Sequence, residues 1–146
     1  MHPTKTMTTH PSLITPSRQR PMTAAEHTPS HPLGHRLAQR LLNDIDGAAC
    51  VLIASEDGLS CAHASRGVVD ADRLAAIVSS LGALGSAAAL ATGAGPLQCL
   101  VVEGDAGRVV ARTAHVDGQP VLVAVCCDTR ATLGMVRVQL NALDTR

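Results

Sequence analysis

Cys61 and His63 stand two residues apart in a run read as a strand, where alternation places them on one face. A thiol beside an imidazole is the raw material of a nucleophile pair or of half a metal site. Side chains at i and i+2 of a strand are poorly placed for a tight hydrogen bond, and no third ligand stands nearby in the chain. The plainer reading, small residues of a packed strand, is preferred. Cys126 and Cys127 are adjacent, so their side chains are expected on opposite faces of a strand, as two core positions. Gly93-x-Gly95 follows a helical run and precedes Pro96. A dinucleotide fingerprint must instead follow a strand and open a helix, so this pair reads as a chain break. There is no Walker pattern. Arg108 and Arg112 lie four apart on another strand and share a face, with Val110 between them. They read as a solvated strand edge or, alternatively, as a contact patch for an acidic partner. These residues imply no metal, no cofactor and no catalytic site.

The elements that carry them follow from periodicity. Residues 1–32 hold six of the eight Pro and four of the seven His, with few large apolar side chains. Such a segment cannot offset its ordering entropy and is expected to be a disordered tail; Met22 is a second plausible start. Leu33 to Asp44 reads as an amphipathic helix, with Leu37, Leu41 and Ile45 on one side. Ala49–Ala54 and Leu59–Ala64 read as a hairpin closed by Ser55-Glu56-Asp57-Gly58. Asp70 or Asp72 is expected to cap a long helix, which Gly93 to Pro96 stops. Leu97–Glu103, Arg108–Val116 and Pro120–Cys127 read as a meander turned at Asp105-Ala106-Gly107 and Asp117-Gly118. A closing helix, capped by Asp128 or Thr129, repeats Leu133, Val136, Leu140 and Leu143. The predicted class is α+β: one five-stranded antiparallel sheet in the order helix-strand-strand-helix-strand-strand-strand-helix. The long helix takes one face and the terminal helices take the other. The domain is expected to span residues 33–146.

The long helix is unusual in composition. From Leu74 to Val102 the chain has no charge, and Leu74 to Thr92 contains seven Ala, three Ser and two Gly. Leu74, Ile77, Val78, Leu81 and Leu84 fall on one arc. Ala75, Ser79, Gly82, Ser86, Ala89 and Gly93 fall on another, about 120° away. The large arc is expected to cover the sheet, leaving the small arc for close approach of a second polypeptide. On that reading Gly82→Leu separates subunits while sparing the fold. The stretch is long enough to cross a bilayer, but its Ala, Ser and Gly content gives weak insertion drive, so no membrane span is expected.

Composition narrows the classes further. Acidic and basic residues balance at 12 each, which gives no pull toward nucleic acid. There is no Phe, Tyr or Trp, so stacking platforms and cation cages have no material. Five cysteines without a C-x-x-C pair suit buried thiols in a reducing cytoplasm. No secretory signal is read at the N-terminus.

Three segments in order resemble the roadblock, or dynein light-chain, family. They are Leu41-Leu42-Asn43-Asp44-Ile45-Asp46-Gly47, then the hairpin Val51 to Leu59, then Asp72-Arg73-Leu74-Ala75-Ala76 opening the long helix. The Gly-rich break, the meander and the closing helix complete the likeness, over roughly residues 33 to 146. The resemblance implies a homodimer or heterodimer, with sheets joined edge to edge through the third strand and long helices packed together. It implies no nucleotide site. It implies a bacterial cytoplasmic adaptor beside a Ras-like small GTPase. The interface would comprise Ala75, Ser79, Gly82, Ser86 and Ala89 on the helix, with Gln98, Leu100 and Val102 on the strand. Arg108 and Arg112 are candidate partner contacts read from their own spacing; an arginine finger is the remotest use of them, and the resemblance does not require one. A small-molecule sensor of profilin or PAS type is the second reading, and a thiol or metal enzyme through Cys61 and His63 the third. The missing aromatics count against the sensor.

Overall fold

A computed structural model describes residues 31–145. The elements are α1 (Pro32–Asp44), β1 (Ala48–Ala54), β2 (Ser60–Ser65), α2 (Ala71–Ala91), β3 (Leu100–Gly104), β4 (Gly107–Val116), β5 (Gln119–Asp128) and α3 (Leu133–Asn141). A 3₁₀ turn, Ala142–Thr145, follows α3. The strands form one antiparallel sheet in the order β2-β1-β5-β4-β3. The tail expected over residues 1–32 lies outside the described residues up to position 30, and Pro32 already belongs to α1.

Turn chemistry sets the hairpins. Val116 pairs with Gln119 across a two-residue turn in which Asp117 has φ 53° and Gly118 φ 74°. Two successive positive φ values match the right-handed twist of a hairpin, and Asp-Gly supplies them cheaply. Asp70, not Asp72, caps α2, its carboxylate accepting from Arg73 N–H at 3.0 Å. The helix ends as Gly93 takes φ 74° and Ala94 N–H donates to the Ala89 carbonyl at 2.8 Å. Arg66, between β2 and α2, donates to the carbonyls of Leu42 at 2.9 Å and Ala48 at 3.0 Å. It thereby satisfies a C-terminal carbonyl of α1 and ties that helix to the start of β1.

Three boundaries differ from expectation. The third strand begins at Leu100, so Gln98 lies before it. Leu97 stands over Gly85 of α2, where a Cβ would meet its methyl group at 3.4 Å, and residues 97–99 do not join the β4 ladder. The closing helix is capped by Thr132, whose hydroxyl accepts from Met135 N–H at 3.3 Å. Asp128 instead ends β5 and accepts from the N–H and guanidinium of Arg130. The second strand starts at Ser60 because the β1–β2 register slips between Ile53 and Ala54.

The sheet has two unequal faces. α1 and α3 cover one, burying Leu41, Leu42 and Ile45 with Val51, Ile53, Val110, Val123, Val125, Val136 and Leu140. α2 covers the other, where among the described residues the smaller cluster Leu52, Ala54, Ala75, Val78, Ala111 and Ala124 is buried. β5 lies at the centre of the sheet and serves both, with Val121, Val123 and Val125 on the first side and Leu122 and Ala124 on the second.

Candidate interaction surface

The face of α2 turned to the sheet draws on both arcs, with Leu74 and Val78 from the large one beside Ala75, Ser79 and Gly82 from the small one, where the large arc alone was expected. Ala75 is fully buried against the sheet, together with Val78 from the margin of the large arc. The Ser79 hydroxyl donates to the Ser55 carbonyl at 3.3 Å. A Cβ at Gly82 would meet Leu122 at 3.7 Å, and one at Gly85 would meet Leu97 at 3.4 Å and Leu100 at 3.5 Å. The physical reason lies in the sheet. This face already carries Leu52, Leu97, Leu100 and Leu122, and a bald helix stripe receives their bulk where a second row of large side chains would collide. Ser79, Gly82 and Ser86 therefore line a cleft inside the subunit, with Gln98 and Leu100 at its far wall. Ala89 is half-buried, as Ser79 and Ser86 are.

The opposite face of α2 is what remains open. Ile77 is 47%, Leu84 67% and Leu90 65% exposed, and between them lie exposed Ala87, Ala88 and Ala91. Near the helix runs β3, which pairs with β4 on one side and, among the described residues, is the sheet's edge on the other. Val102 on that edge is 42% exposed. An unpaired strand edge next to an apolar helix face offers main-chain hydrogen bonds and apolar area together. No sequence expectation placed Ile77, Leu84 and Leu90 outward. Their signal was the length of the uncharged run, since a helix that is apolar all round has more greasy surface than one sheet can cover.

Arg108 and Arg112 do share a face, but it is the face under α3, and both guanidinium groups are engaged within the chain. Arg108 donates to the Ala131 carbonyl at 3.1 Å and pairs with Glu103 at 3.3 Å. Arg112 is held by Asn141 and Asp144 at the C-terminal end of α3 and the turn beyond it. Neither the solvated strand edge nor the open partner patch describes them: they clamp the closing helix to β4.

Cys61 and His63 are not brought together. Cys61 packs at the α1-side core, while His63 is exposed and registers opposite Leu52, which belongs to the α2-side cluster. The register slip at Ile53/Ala54 breaks the simple alternation between them. Burial pushes the Cys61 thiol above its usual range, which lowers its thiolate fraction and its nucleophilicity. Among the described residues no three His, Cys, Asp or Glu side chains gather at one point. Cys127 faces the α1 side and its thiol donates to the Arg108 carbonyl at 3.6 Å, whereas Cys126 registers opposite Cys50 of β1.

The model of the Roadblock/LC7 domain matches residues 36–119, more than half of the chain. The chain belongs to the Roadblock/LC7 family. A Roadblock/LC7 domain from Streptomyces avermitilis superposes with a TM-score of 0.67 at 25% identity, over 76% of this chain and 91% of that one. MglB from Myxococcus xanthus gives the same TM-score, 0.67, at 21% identity over 78% and 90% of the two chains, a likeness of fold. An uncharacterised protein of Methanocaldococcus jannaschii, MJ0310, is 28% identical over 100 residues, covering 68% of this chain and 84% of its own length. In this Roadblock domain the open surface is thus the outer face of α2 and the neighbouring β3 edge.

Proposed function

We propose that this Roadblock domain is a non-enzymatic adaptor of the bacterial cytoplasm. It pairs with a second copy of itself and binds a Ras-like small GTPase to bias the nucleotide state that persists. The observation that carries the reading is the apolar outer face of α2, Ile77, Leu84 and Leu90, lying beside the free edge of β3. Leu100 and Val102 would take part in main-chain pairing across the edge, and the three large helix residues would supply buried apolar area. Ser79, Gly82 and Ser86 act one layer deeper, seating α2 so that its outer face is presented at the right height. Family membership is what brings the GTPase into the reading. Such an adaptor would act through differential affinity for the two nucleotide states.

The test uses the Ras-like GTPase encoded in the same genome, loaded with GDP or with a non-hydrolysable GTP analogue. Calorimetric titration of this chain is expected to show at least tenfold tighter binding to one state, a difference of about 1.4 kcal/mol. Equal affinity for both states, or no binding to either, contradicts it.

The sensor reading draws on the cleft between α2 and β3–β5. Its volume is about 220 Å³, below the roughly 300–1,000 Å³ of common small-molecule pockets. The adaptor reading is therefore preferred.

A further inference from the structure

The five cysteines are all unbridged, and two of them face each other. Cys50 of β1 registers directly opposite Cys126 of β5, the rung beyond Leu52 and Ala124. Leu52 and Ala124 belong to the cluster that Ala75 and Val78 of α2 complete. The rung beyond them is open enough for Cys126 to line a shallow apolar groove with Ala49, Val102 and Val109. Cys50 beneath is 2% exposed. Directly opposed residues of an antiparallel pair have Cα atoms about 4.5–5.5 Å apart, inside the span of roughly 4.4–6.8 Å that a disulfide bridges. β1 and β5 are neighbours inside the sheet, each paired on both sides, and their register places the two cysteines opposite one another.

The thiols already interact. Cys126 beside it holds the Cys50 thiol below its usual range, while Cys50 and burial push the Cys126 thiol above its own. The other three thiols are placed otherwise. Cys127 is on the opposite face of β5 and bonded to the Arg108 carbonyl, Cys99 contacts the Leu100 carbonyl, and Cys61 packs at the α1 side.

We propose that Cys50 and Cys126 form a cross-strand dithiol that closes to a disulfide by exchange with a small disulfide such as oxidised glutathione. Cys126, the sulfur that the groove reaches, passes its proton to the Cys50 thiolate beneath it and attacks one glutathione sulfur. A mixed disulfide forms and one glutathione thiolate leaves, to be protonated. Cys50, deprotonated again, then attacks the Cys126 sulfur and expels the second glutathione. The balance is one protein dithiol plus one oxidised glutathione giving one protein disulfide plus two reduced glutathione. This pair lies apart from the outer face of α2, so it goes beyond the adaptor reading.

The test treats the full chain with oxidised glutathione, traps remaining thiols with an alkylating reagent, and maps the peptides by mass spectrometry. Two of the five thiols are expected to disappear, with intact mass lower by two hydrogen atoms and reversal by dithiothreitol. Trypsin would link the peptide holding Cys50 and Cys61 to that holding Cys126 and Cys127, so variants assign the pair. The linkage is expected to survive Cys61→Ser and Cys127→Ser and to vanish in Cys50→Ser and in Cys126→Ser. Five free thiols after treatment, a stable glutathione adduct on Cys126 without closure, or a linkage that persists in Cys126→Ser each overturns the proposal.

Discussion

Among the described residues, two helices close a cluster of eighteen buried residues on one face of the sheet, and one helix closes a cluster of six on the other. The difference is one of side-chain size and direction. Under α1 and α3, Leu, Ile and Val from both layers interlock, and Arg66, Arg108 and Arg112 tie the helix ends and closing turn to the sheet. Under α2 the sheet supplies the bulk and the helix supplies Ala, Ser and Gly, so the helix seats closely yet commits few of its own large residues. Ile77, Leu84 and Leu90 are left over and point outward. A face that seals itself is a core. A face that leaves its helix greasy on the outside exposes apolar area of the kind that partners cover.

That contrast breaks most sharply by truncation. Leu41→Ala, at a position 1% exposed on the sealed face, is expected to cost about 2–5 kcal/mol of stability in urea unfolding. Leu84→Ala on α2 is expected to stay within roughly 0.5 kcal/mol when measured on the dilute chain. Equal losses would erase the distinction between core and open surface. Gly82→Leu sharpens it next. The new side chain must enter the contact with Leu122 inside the subunit, so it is expected to lower stability by about 1–3 kcal/mol. A variant that keeps full stability and only loses self-association would return the small arc to the role read from sequence.

The smallest effect concerns the sealed side's turn into α3. Arg130 holds the Asp128 carboxyl below the usual carboxylate range, through its guanidinium and its backbone N–H. A depressed native value means the contribution is present above the ordinary pKa of 3.8 and fades as the pH falls through the native value below it. The Tm gap between wild type and Asp128→Asn is therefore expected to be constant near neutrality and to shrink in acid. A gap that widens in acid contradicts that sign.

The element order was legible in the sequence because its signals are local. Asp117-Gly118 announced its hairpin, Gly93 its helix stop, and the doubly apolar Val121 to Cys127 its central place in the sheet. The α+β class, the five antiparallel strands and the division of helices between faces followed from those. The orientation of α2 was not legible. Two arcs of a helix without charges give no polar side to point at water, and how they share the sheet was set by Leu97, Leu100 and Leu122, residues distant in the chain. Arg108 and Arg112 were misjudged for a related reason. Alternation set their common face, but only the return of α3 across that face showed that Ala131, Asn141 and Asp144 would be there to receive them.

The central claim is that the outer face of α2 is covered by a second copy of this chain. Its most direct test is the mass in solution of the wild type and of Leu84→Glu, measured by sedimentation equilibrium at micromolar concentration. A dimeric wild type and a monomeric, folded variant are predicted. A wild type that is already monomeric, or a variant that still dimerises, would contradict the claim.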